Sequence, residues 1–174
     1  MLGAVFLFGL CGAASSLFFY GGESWHNYLV PIPFGIACAL LFLRSTWVIF
    51  VVPLYIVVWL VALNVAKRMD MSVSSHSIYV PMCIAGLIGG FGVCLASGIV
   101  RRCLLSLRHL LGASVIGCVL ALPFGLDLTD WHAQMLQPWL QFAIWQSGVG
   151  TYLYASCKGL GRKSDSWATN SDHR

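Results

Sequence analysis

Along this chain, apolar stretches long enough to cross a bilayer alternate with short charged or polar breaks. A helix needs roughly 20 apolar residues to cross ~30 Å of hydrocarbon. Met1 to Gly22 carries no charge. The next apolar run stops at Arg44, the next at Lys67 and Arg68, and the next at Arg101 and Arg102. Two more follow, one running into Asp127 and one stopping at Lys158. The pattern predicts helices at about 2–20, 28–44, 46–66, 78–100, 107–126 and 135–157. Helices 2 and 5 are short, and Pro123 falls near the end of helix 5. Barrel strands would be about ten residues of alternating polarity, which these runs are not. The fold class expected is therefore all-α, an integral membrane bundle of six transmembrane helices over residues 1–157. The polar tail, 158–174, is expected to be disordered and cytoplasmic. Helix 1 has no Lys or Arg before it and outruns a usual signal-peptide core, so it is read as a retained span.

Composition agrees with that reading. Apolar residues make up 59% of the 174 positions and charged residues 9%, against about 25% charged in soluble domains. So few charges would leave the surface of a water-soluble globule largely apolar. The same numbers exclude intrinsic disorder and collagen-like repeats.

The charges are unevenly distributed. With the N-terminus in the cytoplasm, one face holds Arg44, Arg101, Arg102, Arg108, Lys158, Arg162, Lys163 and Arg174, and the other only Lys67 and Arg68. This bias predicts a cell (inner) membrane protein with both termini cytoplasmic. The bases suit anionic lipid headgroups, making the bilayer the first partner. With no basic domain outside the membrane, no nucleic-acid partner is expected.

The three outer loops each combine acid and histidine: Glu23 with His26, Asp70 with His76, and Asp127 and Asp130 with His132. His26 and His76 each precede a Val-Pro pair by four residues, ending at Pro31 and Pro81. This suggests three related helical hairpins. Proline at the first turn of a helix gives the simpler account of the same prolines. The loop residues His26, His76, His132 and Asp130 are candidates for contact with a ligand or substrate. Their spacing does not form a strong metal-ligand motif, and no metal or cofactor is expected.

No acid or base falls at mid-depth, which argues against ion pumps and proton-coupled transporters. Polar residues at depth are mild: Asn64, Ser97, Ser114, Gln141, Gln146, Ser147 and Thr151. In helix 6, Gln137, Gln141 and Trp145 recur every four residues and share a face. They are the candidate lining for a neutral or amphipathic ligand. Small residues recur every four positions in helix 4 (Gly86, Gly90, Cys94, Gly98) and helix 5 (Ala113, Gly117, Ala121, Gly125). Such stripes let backbones approach closely, so these helices are expected to pack together or to supply a face for a homodimer or larger membrane complex. The seven cysteines include no Cys-x-x-Cys and read as packing residues.

No motif states an activity. The first functional expectation is a small transport or ligand-binding membrane component. The alternatives are a membrane enzyme using outer-face His and Asp on a lipid-linked or extracytoplasmic substrate, and an assembly subunit with no ligand. The charge bias makes the topology testable in a cysteine-free background. A single cysteine placed after residue 158 should react with an impermeant maleimide only after cells are permeabilised. Labelling in intact cells would contradict the orientation.

Overall fold

A computed structural model of the chain describes residues 1–19, 24–43, 48–72, 79–125 and 139–158. These are all-α, with no strand among the described residues. The helices are α1 (Leu2–Phe19), α2 (Ile32–Cys38), α3 (Val48–Ser72), α4 (Tyr79–Val100), α5 (Leu107–Ala121) and α6 (139–158). Two helical segments, Ile49–Met69 and Tyr79–Val100, are long and apolar enough by themselves to cross a membrane.

The departures from the expected boundaries have local causes. α2 is short because the segment changes helix type: a 3-10 turn at Ser24–Tyr28 precedes it and a π-turn at Ala39–Leu43 follows it. α3 runs past Lys67 and Arg68 to Ser72, since Lys and Arg are good helix formers. α5 stops at Ala121 and tightens into a 3-10 turn, Leu122–Gly125. Pro123 lies in that turn, where it has no N–H for a further helical bond. Pro31 occupies the N-cap of α2 and Pro81 lies in the first turn of α4, as the capping account predicts. Pro138 lies outside the described residues.

Successive helices run antiparallel and each lies against the next. α1 packs on α2, α2 on α3, α3 on α4, and α4 on α5. α6 closes the ring. Its Phe142 and Ala143 backbone meets Gly12 of α1, and on its other side Gly148 meets Leu120 of α5. The tightest seam is between α4 and α5. A Cβ on Gly86 would fall on the carbonyl oxygen of Gly117, and one on Gly90 would fall on that of Ala113. The two small-residue stripes thus face each other for two turns. Lower in α4 the stripe serves another purpose. Gly98 makes room for Leu105, and the Cys94 thiol donates to Leu104 O, so the connector Arg102–Leu105 tucks against the helix.

Among the described residues, several polar side chains are buried. Ser15, Ser16, Ser97, Ser114, Gln141 and Gln146 are buried. The four serine hydroxyls donate to backbone carbonyls one turn back in their own helices. Outward positions are apolar at helical spacing. Leu87, Phe91, Leu95 and Ile99 are exposed along α4, and Leu107, Leu111, Val115 and Val119 along α5. Such contiguous apolar surface far exceeds the scattered exposure normal for a soluble monomer.

The α4–α5 seam gives a direct test. Gly90→Leu and Gly117→Leu should each destabilise the detergent-solubilised protein by about 2 kcal/mol or more, because the side chain must displace backbone. Gly3→Leu should change little, since nothing lies within 4 Å of a Cβ there. Equal melting temperatures for Gly90→Leu and wild type would contradict the packing.

Candidate functional site

The ring of helices surrounds a partly enclosed cavity of about 160 Å³. It lies nearer the end of the bundle where α2 and α4 begin. α2 contributes Phe34, α3 contributes Tyr55 and Trp59, α4 contributes Ala85 and Gly89, and α6 contributes Phe142, Trp145 and Gln146. Among the described residues that line it, none is Asp, Glu, Lys, Arg or His.

Five aromatic side chains line it, Phe34, Tyr55, Trp59, Phe142 and Trp145. Phe34 has ring centroids 5.7 Å from Tyr55 and 6.1 Å from Trp145, and 5.5 Å from Phe8 behind the wall. Trp59 and Phe142 meet across the bundle at 5.6 Å with their planes at 56°. All four pairs are tilted and within the separation that favours aromatic contact. Glycine makes room for the largest ring: a Cβ at Gly89 would sit 3.0 Å from the indole of Trp145. The indole Nε1 donates to Gly117 O at 3.1 Å, which fixes the ring's rotation. Trp145 therefore rests on α4 while hydrogen-bonded to α5, at the seam between them.

Polar groups around the cavity have defined roles. Ser97 donates to Val93 O at 2.7 Å, so its single proton is committed. The Tyr55 hydroxyl, 2.6 Å from Ser97 Oγ, must then be the donor of that pair. The same reasoning orients Gln146. Ser15 donates to Cys11 O at 2.9 Å, so Ser15 Oγ can only accept from the amide 2.8 Å away. That makes the nitrogen Nε2 the atom facing Ser15 and leaves Oε1 on the other side of the amide. Gln146 is 3% exposed, and its Oε1 has no hydrogen-bond partner among the described residues.

The structure divides the face expected to contact ligand. Trp145 lines the cavity. Gln141 does not: its Nε2 donates to the carbonyl of Pro123. The interruption of α5 at Pro123 leaves terminal carbonyls without helical donors, and Gln141 satisfies one of them. Its amide is a structural tie between α5 and α6. The amide on the cavity is Gln146, roughly 140° further round the helix. Four-residue spacing from Trp145 leads to Gln141, whereas the inward row of α6 is Phe142, Gln146, Val149 and Leu153, all of them buried. A glutamine set in an otherwise apolar row was the available signal.

His26 lies in the 3-10 turn before α2 and is not among the lining residues. Gln137, His76, His132 and Asp130 lie outside the described residues, as do Glu23 and Asp127, whereas Asp70 lies in the last turns of α3 rather than in a loop. Among the described residues, no group of three or more His, Cys, Asp or Glu is arranged to hold a metal. No family model matches the chain, and no curated protein or solved structure is similar to it.

Proposed function

We propose that this chain is a six-span membrane protein of the ligand-binding or transport kind, holding a small, uncharged, mainly apolar molecule between its helices. The observation that carries the proposal is the cavity itself: a space reached by residues of five helices whose described lining holds five aromatic side chains, one amide and no charge. Apolar walls with few convergent polar groups characterise small-molecule sites. The absence of charge from the lining matches a neutral ligand, because an ion would lose its hydration there without a counter-charge.

The membrane part of the reading rests on the outward surface. The exposed faces of α1, α3, α4 and α5 are lined by Leu, Ile, Val and Phe. The helices too short to span on length alone are extended by what flanks them. α5 with its terminal 3-10 turn reaches about 30 Å, the thickness of the hydrocarbon. Arg101, Arg102, Arg108 and Lys158 gather at the end of the bundle that holds the N-terminus, against Lys67 and Arg68 at the other. The proposed orientation puts the four-base end in the cytoplasm of a cell membrane.

Toluene is a suitable probe of the site. In saturation-transfer NMR of the purified full-length protein in deuterated detergent, toluene should give a saturable, protein-dependent signal beyond partition into micelles. Ala85→Phe fills the cavity and should abolish the saturable part. Equal saturable binding to Ala85→Phe and wild type would overturn the proposal.

A further inference from the structure

Most of the cavity wall could accommodate any apolar molecule of the right size. Gln146 makes it selective. Its Nε2 is committed to Ser15, whose own proton is committed to Cys11 O. The amide therefore cannot turn over without breaking that chain of bonds. Oε1 is buried and lacks a donor. A buried acceptor left unpaired costs about 1–3 kcal/mol, a cost that a correctly placed donor would remove. The two wall donors with defined partners, Tyr55 and Trp145, have given their protons to Ser97 and Gly117. Gln146 borders the cavity, and its buried Oε1 is an acceptor with no hydrogen-bond partner among the described residues.

Size and wall shape narrow the class further. The cavity, at about 160 Å³, is comparable to an apolar cavity of about 150 Å³ that holds benzene in another protein. Flat rings from Phe34, Trp59, Phe142 and Trp145 favour a flat partner through offset or edge contacts. We infer that the site takes a compact, uncharged ring compound carrying one O–H or N–H donor, a phenol- or indole-type molecule, whose donor bonds to Gln146 Oε1 while its ring lies among the aromatic walls. This rests on the proposed ligand-binding reading and goes beyond it by naming the chemical class and the residue that recognises it.

The test compares phenol with toluene, which are similar in shape and differ in the donor. Dissociation constants are measured by saturation-transfer titration for wild type, Gln146→Met, Ser15→Ala and Ala85→Phe, each as the full chain in the same detergent. Methionine keeps the length of glutamine without its amide. Gln146→Met should weaken phenol roughly tenfold and leave toluene within about twofold of wild type. Ser15→Ala leaves the amide unpinned and should weaken phenol by a smaller factor, roughly two- to fourfold, again sparing toluene. It tests the inference by itself if Gln146→Met does not fold. Should both substitutions leave phenol binding unchanged while Ala85→Phe removes both compounds, the cavity binds ligand without using the acceptor. The donor inference then fails and the ligand-binding proposal stands. If wild type binds neither compound saturably, both fall.

Discussion

Close backbone approach between α4 and α5 is the contact on which the rest of the architecture depends. Where Gly86 and Gly90 meet Ala113 and Gly117, no side chain separates the helices. On the proposed membrane reading, lipid supplies little hydrophobic force between helices, so packing distance and hydrogen bonding must hold them together. The seam also prepares the cavity. The Gly117 carbonyl accepts the Trp145 indole, and Gly89, one position from the stripe, gives the same ring space. A larger residue on this stretch of α4 would push α5 away and displace the indole with it.

α6 then organises the interior. It is enclosed on most sides, meeting α1 through Gly12, α5 through Gly148 and α4 through Gly89. Each of its two buried glutamines has one hydrogen-bond partner outside α6, and the two tie different walls. Gln141 binds the end of α5 and Gln146 binds α1. The Gln141 nitrogen is used for structure, and on the proposed reading the Gln146 oxygen is a polar feature that the cavity can offer a ligand.

Much of the fold could be read from the sequence because charge and glycine spacing are strong signals here. The start and end of α4 were expected within a residue, and the start of α5 at Leu107. The facing stripes of α4 and α5 were legible at the level of single glycines, and because they bury one another they are not free to serve a dimer along those two turns. What was illegible depended on partners distant in sequence. The 3-10 and π turns around α2 follow no hydropathy period. Gln141 and Gln146 look alike as polar residues in an apolar helix. Only the position of Pro123 in the turn after α5 and of Ser15 on α1 distinguishes a tie from a cavity wall. Phe34 and Trp59, which meet α6 across the bundle, sit in apolar stretches that give no local sign of a site. The histidine and aspartate loops drew attention in the sequence, and of these residues His26 is described and lies off the cavity.

The central claim is that the outer faces of these helices meet lipid while their polar atoms turn inward. Spin labels placed singly from 107 to 122, in cysteine-free protein reconstituted into liposomes, test it most directly. Oxygen accessibility should peak at Leu107, Leu111, Val115 and Val119, with minima at Ala113 and Gly117, while a water-soluble nickel reagent stays weak at Leu111 and Val115. Strong nickel relaxation at Leu111 and Val115, comparable to that of a label in an aqueous loop, would contradict the account.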